Sequence, residues 1–361
     1  MPEIFNVSGL TWNGKEVLSY SEAILETVFE KAALRDVHTI VPGIQAKQQI
    51  IFLGLLGKVG YKRALCDTTV SDATIGSSEK FWDPQYMGDR LEECADDIME
   101  SFWVWGLQKG VKKADLTDTD FALFVTERLT DAVYEMIWRM IWFGNTAENN
   151  VGASPNPGHI TVGVDKKFFT AFDGYFAQGE DIVAADSNRY IDSLQAKNAE
   201  ATYADQEFDD TDTTNKLVTK ALNKLKTKAD TRLRGKADGF FLTTLSVADQ
   251  YARELESVGV TPSFERIENG YSILRYNGIN IIALDIWDRI IREDFDSGSN
   301  YFRPHRMVYT TKSNLWVGTE EEGDFGNFEA FFDKYHKVWV EDFGFNLDAK
   351  VGEDYLTQWA Y

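Results

Sequence analysis

Residues 116–144, LTDTDFALFVTERLTDAVYEMIWRMIWFG, decide how this chain folds. Apolar side chains recur at alternating intervals of three and four residues, which places them along one stripe of an α-helix. They are Phe121, Phe124, Val125, Leu129, Ala132, Val133, Met136, Ile137, Met140 and Ile141. The pattern predicts a helix over 118–143, about 39 Å long at ~1.5 Å per residue. Because the stripe carries no metal-ligating or acid–base side chain, we interpret the helix as a structural spine.

The ends of this helix carry residues that commonly begin and end helices. Thr117 is placed to cap the first turn, with Asp120 three residues later. Gly144 follows the last apolar position, and it predicts a residue in the left-handed conformation that stops the helix. Burial of the stripe would contribute at most roughly 15–20 kcal/mol before the entropy of ordering is subtracted.

The composition limits the classes of protein to which the chain can belong. Hydrophobic residues make up 43% of its 361 residues, which argues against intrinsic disorder. With 37 basic and 58 acidic residues, the net charge is −21. Non-specific binding of nucleic acid depends on Lys and Arg displacing counterions from phosphates. A chain with this balance is therefore a poor candidate for a non-specific DNA-binding protein.

The cysteines and the apolar runs indicate the compartment. Cys66 and Cys94 show no metal-ligand or redox spacing, and two thiols in a chain of this length fit a reducing compartment. No basic and then apolar signal opens the sequence. The apolar run Ile50–Leu56 is far shorter than the ~20 residues that span a bilayer. These features predict a soluble protein that is cytosolic when made.

The first third of the chain is predicted to have little core of its own. An amphipathic pattern predicts a helix over Ser21–Val37. Residues 41–115 are interrupted by glycines and contain two extended arms around a polar tip, CDTTVSDATIGSSEK at 66–80. A short helix is predicted near Gly88–Leu107, just before the spine. The extended arms predict a long hairpin that cannot build a core by itself.

Residues 180–310 have the pattern of a separate α/β unit. The pattern predicts a helix, a strand, a helix and a strand hairpin, in the order Thr213–Arg234, Phe240–Leu245, Ser246–Val258 and residues 271–284. Asn277-Gly278 is the predicted hairpin turn. Before this unit, KKFFTAFDGYFAQ at 166–178 predicts a short packed helix, and after it the sequence from Val308 alternates short strands. The order of elements predicts an α+β protein.

The sequence offers no group of residues with the spacing of a known catalytic or metal site. Gly54–Lys58 has two glycines and a lysine, but a phosphate-binding loop needs four residues between the glycines and a Ser or Thr after the lysine. We interpret these glycines as bends in an extended arm. The histidines show no HxH or HExxH spacing, and we interpret each as a surface or packed residue. They are His38, His159, His305 and His336.

Acidic clusters do not change this conclusion. Two groups of aspartates lack the glycine and the final glutamate of a calcium loop, namely Asp118 with Asp120, and Asp209 with Asp210 and Asp212. The pair Asp96-Asp97 is of a kind that glycoside hydrolysis uses, but among 58 acidic residues such pairs arise by chance. We predict no catalytic residue, no cofactor, no metal site and no enzymatic activity.

Several blocks of this sequence resemble the HK97-like major capsid proteins of tailed phages. The blocks are DLTDTDFALFVTERLTDAVYEMIWRMIWFGN at 115–145, FFTAFDGYF at 168–176, YNGINIIAL at 276–284, RPHRMVYTTKSNLWVGTE at 303–320 and KVWVEDFGFNLDAKVGEDYLTQWAY at 337–361. The order of the predicted elements is also similar to that family over nearly the whole chain. Within that family, the blocks resemble in particular the capsid proteins of phages of Bacteroidetes, including crAss-like phages.

The resemblance implies an α+β, HK97-like fold divided into named parts. These are an N-terminal arm at 1–40, an extended loop (E-loop) at 41–115, a peripheral domain at 116–179 with the spine helix at 118–143, an axial domain at 180–310, and a C-terminal return to the peripheral domain at 311–361. The E-loop would lie over a neighbouring subunit, and the axial domain would meet its copies at the centre of each capsomer.

The resemblance also implies a function and a set of partners. The chain would assemble with copies of itself, as pentamers and hexamers, into the icosahedral shell that encloses the phage dsDNA without sequence-specific binding. Separate scaffolding, portal and decoration proteins are expected partners, and no membrane is. The protein would be assembled in the host cytoplasm and would reside in the virion capsid. Many family members begin with a long charged scaffolding segment that is removed, whereas about 40 residues precede the loop here. We therefore expect either a separate scaffold protein or a processed chain.

Two alternatives stay open from the sequence. One is an encapsulin-like nanocompartment shell of the same fold, which would enclose an enzyme cargo. The other is an aromatic-rich glycan-binding protein or glycoside hydrolase, suggested by the 14% aromatic residues. That protein would be expected to carry a secretion signal and to behave as a small monomer.

Positive charge is concentrated in one predicted helix of this acidic chain. Basic residues recur there every fourth position, at Lys216, Lys220, Lys224, Lys228 and Arg232. By contrast, residues 320–354 hold eleven acidic residues and three lysines, a net charge of −8. The row is either a solvated lysine face, worth little to stability, or a surface that meets acidic groups of an adjacent subunit during assembly.

Overall fold

The structure is a computed structural model that describes residues 27–29, 32–56, 75–112, 118–262, 265–266, 272–319 and 327–361. The helices are α1 (Ala32–Val37), α2 (Ala95–Gln108), α3 (Asp118–Phe143), α4 (Tyr175–Ala185), α5 (Gln195–Asn198), α6 (Tyr203–Gln206), α7 (Asp210–Asn215), α8 (Leu217–Lys228), α9 (Thr231–Arg234), α10 (Leu245–Ser257) and α11 (Asp285–Asp294). None of these helices combines the length and the apolar character needed to cross a membrane.

The strands form three separate sheets. They are β1 (Thr39–Pro42), β2 (Gln49–Leu56), β3 (Ile75–Phe81), β4 (Gln85–Cys94), β5 (Tyr190–Ile191), β6 (Gly239–Thr243), β7 (Glu265–Arg266), β8 (Ser272–Tyr276), β9 (Ile279–Ala283), β10 (Met307–Thr311), β11 (Leu315–Thr319), β12 (Asn327–Asp333), β13 (Val338–Val351) and β14 (Gln358–Ala360). We call the group β1-β11-β13-β12 with β4 the spine sheet, and the group β5-β14-β10-β6-β9-β8-β7 the distal sheet. The pair β2–β3 is the hairpin arm. The predicted α+β class is confirmed.

The spine helix α3 has the predicted bounds and lies in the largest hydrophobic core. Most of the predicted stripe is buried, although Ala132 is exposed and Met136 is half-buried. Trp138 and Trp142, which lie off the stripe, are also fully buried. The reason is that the carboxyl half of α3 is enclosed on several sides, by α4, by α11 and by the ring of His38.

Gly144 ends α3, but not in the left-handed conformation that we predicted, since its φ is not positive. A Cβ atom there would lie 2.5 Å from the Met140 carbonyl oxygen and 2.6 Å from that of Phe172. The Gly174 amide donates to the Gly144 carbonyl oxygen at 2.9 Å. Glycine is therefore needed because two backbone segments approach each other closely here. The predicted cap Thr117 lies outside the described residues.

The distal sheet separates two cores because successive side chains of a strand point to opposite faces. Phe240 and Leu242 of β6 belong to the core around α3, whereas Phe241 belongs to a second core. Helices α8 and α10 cover that second core, through residues such as Leu222 and Tyr251. Hence α8 lies on the face of the distal sheet that is turned away from the spine helix.

Several elements predicted from the local sequence are confirmed by the structure. The β8–β9 hairpin turns at Asn277-Gly278, and both residues have positive φ, as a two-residue turn of this type requires. Strand β6 and helix α10 match the predicted strand and helix within a few residues. Of the predicted N-terminal helix, the structure describes a helical turn at 27–29 and α1.

Two predicted helices have different bounds in the structure. The first half of Gly88–Leu107 belongs to strand β4, because it pairs with β13 over ten residue pairs, from Gln85↔Leu347 to Cys94↔Val338. The predicted helix Thr213–Arg234 consists of α7, α8 and α9. Lys216 has a left-handed φ of 54° between the first two, and Asp230 caps the third. The segment 166–178 forms a short 3-10 turn at Lys166–Phe168 and the start of α4.

Strand pairing crosses two of the expected domain boundaries. Strand β4 and helix α2 fall inside the predicted E-loop at 41–115, yet β4 belongs to the spine sheet and α2 packs on α3. The expected C-terminal return at 311–361 includes β14, which lies in the distal sheet between β5 and β10. In both cases the pairing joins strands that are far apart in sequence.

Candidate assembly surfaces

The buried histidines hold structural positions rather than forming a site. The Trp142 indole Nε1 donates to His38 Nε2 at 3.0 Å, so Nδ1 carries the proton and donates to the Leu34 carbonyl oxygen at 2.9 Å. Burial lowers the pKa of His38 to about 3. The neutral ring therefore joins α1 to the spine helix.

His305 belongs to a serine–histidine pair that the sequence did not predict. Ser246 Oγ lies 2.8 Å from Nδ1, and Nε2 lies 2.7 Å from the Gln206 carbonyl oxygen. The pair borders a cleft of about 360 Å³ whose lining includes Asp288 and Arg292. In a catalytic triad a carboxylate would bind the second ring nitrogen, but a main-chain oxygen occupies that position here. Burial lowers the pKa of His305 to about 4, and the ring links α10 to the last residue of α6.

The remaining predicted candidates are dispersed. His159 Nδ1 lies 3.1 Å from Glu148 Oε1, and His336 Nδ1 lies 2.6 Å from Asp333 Oδ2. In the part of the chain that the structure describes, no three His, Cys, Asp or Glu side chains are grouped to hold a metal ion. Asp96 and Asp97 lie in the first turn of α2, and Asp209 with Asp212 forms the capping box of α7. Cys94 is free and exposed, whereas Cys66 and Lys58 lie outside the described residues.

Glu341 is a half-buried residue of the spine sheet. It accepts a hydrogen bond from Trp339 Nε1 at 2.7 Å. Burial raises its pKa to about 7, and the Glu93 carboxylate adds to that rise, while the Trp339 hydrogen bond and Arg128 oppose it. The folded state therefore binds a proton here more readily than the unfolded state, so this group stabilises the fold as the pH falls from about 7 towards its ordinary value.

Glu341→Gln is expected to raise the free energy of unfolding at pH 8, by about 2–3 kcal/mol, because the amide removes a buried charge and still accepts from Trp339. The gain should disappear near pH 5, where the wild-type carboxyl group is protonated. Denaturant unfolding at both pH values measures the difference. Glu92→Gln, at an exposed position in β4, is the control and should change little at either pH. An equal effect of Glu341→Gln at pH 5 and pH 8 would contradict the prediction.

The base of the hairpin arm packs against the body. Trp82, Ile44 and Ile50 form a small separate hydrophobic cluster, against which Trp316 packs. Lys80 Nζ donates to the Val351 carbonyl oxygen at 2.8 Å and to Asp354 Oδ1 at 2.7 Å. Beyond the base, β2 and β3 pair only with each other among the described strands. The arm thus has a fixed root.

Apolar side chains are exposed near this root and on the neighbouring helices. They are Phe81 (51% exposed), Tyr86 (59%), Val104 (51%), Leu107 (65%) and Leu123 (51%). The first two lie on β3 and β4, and the others on α2 and α3. Exposed apolar groups of this size on several adjoining elements are typical of surfaces that contact another protein.

The predicted basic row is solvent-exposed on α8 and its flanking residues. Lys220, Lys224 and Lys228 are exposed on α8, while Lys216 precedes it. The Asp230 carboxylate pairs with Arg232, which lies on α9 beyond a break in the helix. The row is therefore not one continuous helix face. Its three central lysines do lie on a single helix, α8.

Comparison with known proteins identifies the fold. No protein-family model and no curated protein sequence matches the chain. Among solved structures, a chain of the satellite phage P4 procapsid, determined with its size determination (Sid) protein, has a TM-score of 0.54 at 10% identity; the match covers 94% of this chain and 98% of that one. The capsid of a native GTA particle matches with a TM-score of 0.46 at 9% identity, covering 91% and 89% of the two chains. The encapsulin complex of Synechococcus elongatus matches with a TM-score of 0.43 at 10% identity, covering 93% and 88%.

The likeness to the procapsid chain extends over nearly the whole length of both chains. The chain therefore has the HK97-like shell-protein fold that the sequence resemblance predicted.

Proposed function

We propose that this chain is the major capsid protein of a tailed phage and that it assembles with copies of itself into the icosahedral shell around the dsDNA genome. The observation that carries the proposal is the near full-length likeness in fold to a phage procapsid chain. The hairpin arm supports it, because an isolated two-stranded hairpin is marginally stable alone and gains stability by lying on a neighbouring copy. The protein then acts as a structural component and not as an enzyme.

In this proposal the parts of the chain have separate roles. The spine helix and the spine sheet form the peripheral domain, and the distal sheet with α8 and α10 forms the axial domain. The hairpin arm serves as the E-loop. The shell would be assembled in the host cytoplasm with scaffolding, portal and decoration proteins, and would become the wall of the virion. Several contacts of about 4 kcal/mol per subunit suffice to hold such a shell together.

The proposal is tested by producing the chain with and without its neighbouring phage genes and examining the product by sedimentation and negative-stain microscopy. Closed shells that package DNA when portal and packaging proteins are present are the expected result. Shells that instead enclose a specific enzyme and no DNA would identify a nanocompartment. A stable monomer under all conditions, including co-expression with scaffold, would contradict the proposal.

Deleting Asp72–Ser78 is expected to leave a folded subunit that assembles poorly. The segment spans the end of β3 that is far from the root, and part of it lies outside the described residues, so its removal leaves the cluster of Trp82 and Ile44 in place. Circular dichroism and sedimentation measure folding and assembly separately. Replacing the same seven residues by a Gly/Ser segment of equal length controls for loop length. Normal shells from the deletion variant would show that this tip is not a contact between subunits.

A further inference from the structure

We propose that the basic segment of the distal unit binds the acidic segment of the same unit in an adjacent copy, as a head-to-tail contact within a ring. The basic segment is residues 216–236, and the acidic segment is residues 205–212. This inference rests on the proposed shell function, because it names the surfaces through which the distal units of neighbouring copies meet.

The basic segment is a strong local departure from the charge of the chain. It contains eight Lys or Arg residues and a single acidic residue, Asp230, in a protein whose net charge is −21. In the described part of the chain, ion pairs of these basic residues are few. Lys224 Nζ lies 3.8 Å from an exposed Asp192 carboxylate, and Arg232 pairs with Asp230. Lys220 and Lys228 form no ion pair with the described residues. Like charges one turn apart repel each other, so a countercharge from outside the subunit would stabilise this surface.

A buried carboxylate holds in place the helix that carries the basic surface. Glu254 of α10 accepts hydrogen bonds from the Val218 and Thr219 amides, both at 2.8 Å, and from Thr219 Oγ1 at 2.7 Å. It caps the amino-terminal end of α8, where the helix dipole favours a negative charge. On its other side α8 packs into the second core. The lysines therefore project from a rigid helix and keep a constant pattern, as specific recognition requires.

The acidic segment lies on the same unit and has an excess of negative charge. It contains five acidic residues and no basic residue, and its exposed members are Asp205, Glu207, Asp209 and Asp210. Among the described residues, Lys197 supplies a countercharge: its Nζ lies 3.4 Å from Asp209 Oδ2 and 3.0 Å from Asp212 Oδ2. The left-handed residue Lys216 separates the acidic segment from α8, so the two segments lie on different helices.

Two complementary patches on one unit favour a second copy of this chain over a polyanion. A surface that binds a different surface of the next copy generates a closed ring when the rotation closes, and each copy then satisfies both patches. A nucleic acid would satisfy the basic patch alone and would be repelled by the adjacent acidic segment and by the charge of the whole chain. Charge complementarity of this kind acts mainly on orientation and association rate.

The test compares charge-reversal variants of the full-length chain. Lys220→Glu with Lys224→Glu and Lys228→Glu is expected to lower the yield of shells about tenfold or more, since a loss of 1.4 kcal/mol per contact already gives a factor of ten. Glu207→Lys with Asp210→Lys should lower it as well. Combining all five changes should restore assembly, because the two patches are then exchanged. The control reverses three exposed lysines outside the segment, Lys112, Lys166 and Lys334, with the same change in net charge, and should assemble normally.

Sedimentation at several salt concentrations gives the yields, and circular dichroism verifies that each variant is folded. Unchanged assembly of the variant with Lys220, Lys224 and Lys228 reversed would overturn the inference. Failure of the variant with all five substitutions to recover assembly would overturn it as well. Normal shells with a lower content of nucleic acid would also overturn it and would assign the row to a polyanion. If the wild-type chain itself forms no shells, it is the proposed function that fails.

Discussion

Trp142→Ala should lower the free energy of unfolding by about 3–5 kcal/mol, since it removes a fully buried indole from the centre of the main core. The ring centroid lies 4.5 Å from that of Trp287 and 4.8 Å from that of Tyr175, so the cavity would open where three helices meet. The change also removes the donor to His38 Nε2. A buried nitrogen without a donor adds to the cost, because the ring has no access to water.

Trp142→Phe separates these two contributions. It retains most of the aromatic packing and removes the hydrogen bond, so we expect a loss of about 1–3 kcal/mol. Leu107→Ala is the control for truncation at an exposed position, where the side chain is 65% exposed and the effect should stay within about 0.5 kcal/mol. Denaturant unfolding of the three variants gives the values. A loss below 1 kcal/mol for Trp142→Ala would show that the core does not depend on this ring.

Trp142 also shows how far a periodic pattern predicts a core. The three-four spacing of α3 predicted the helix and its bounds. The same spacing also implies a helix with one buried face and one solvated face. Near its carboxyl end α3 is instead enclosed by α4 and α11, which come 30 and 140 residues later in sequence. Trp138 and Trp142 are buried by those distant contacts. Ala132, which fitted the stripe, is exposed, and the pattern alone does not predict this.

Some strands can likewise be predicted from the local sequence, whereas others depend on pairing with distant parts of the chain. The β8–β9 hairpin follows from the Asn277-Gly278 turn alone, and the sequence predicts it. Strand β4 carries charged residues at successive positions, such as Asp89-Arg90 and Glu92-Glu93, and its strand character comes from pairing with β13, some 250 residues away. No local pattern distinguishes such a segment from a polar helix.

The candidate assembly surfaces show the same division. Concentrated positive charge at 216–236 is visible in the sequence, because charge is a property of composition. The break at Lys216 and the capping of α8 by Glu254 depend on tertiary structure. The root of the hairpin arm is a contact between Ile44, Trp82 and Trp316, which no spacing rule brings together.

Disrupting the cluster at that root is expected to have the second large effect, on shell assembly. Trp82→Ala should leave the subunit folded and lower the yield of shells by about tenfold or more. The side chain is 3% exposed, and its cluster is separate from both main cores, so the loss of packing falls on the arm and not on the body. An alanine there removes roughly 3–5 kcal/mol of local packing. The arm would then sample many directions, and each contact with a neighbouring copy would require this freedom to be lost again.

A second variant disturbs the same cluster from strand β11. In Gly318→Ala the new Cβ would lie 2.6 Å from Ile44 Cδ1 and 2.8 Å from Trp82 Cζ3, so one of these side chains has to move. We expect the same loss of shells, with faster amide hydrogen exchange in β2 and β3 and an unchanged exchange rate in α3. Tyr335→Ala, in the exposed turn between β12 and β13, is the control for loss of an aromatic ring. If both root variants form normal shells while exchange in the arm rises, the direction of the arm is set by the neighbouring subunit, and the root cluster serves only to join the arm to its own body.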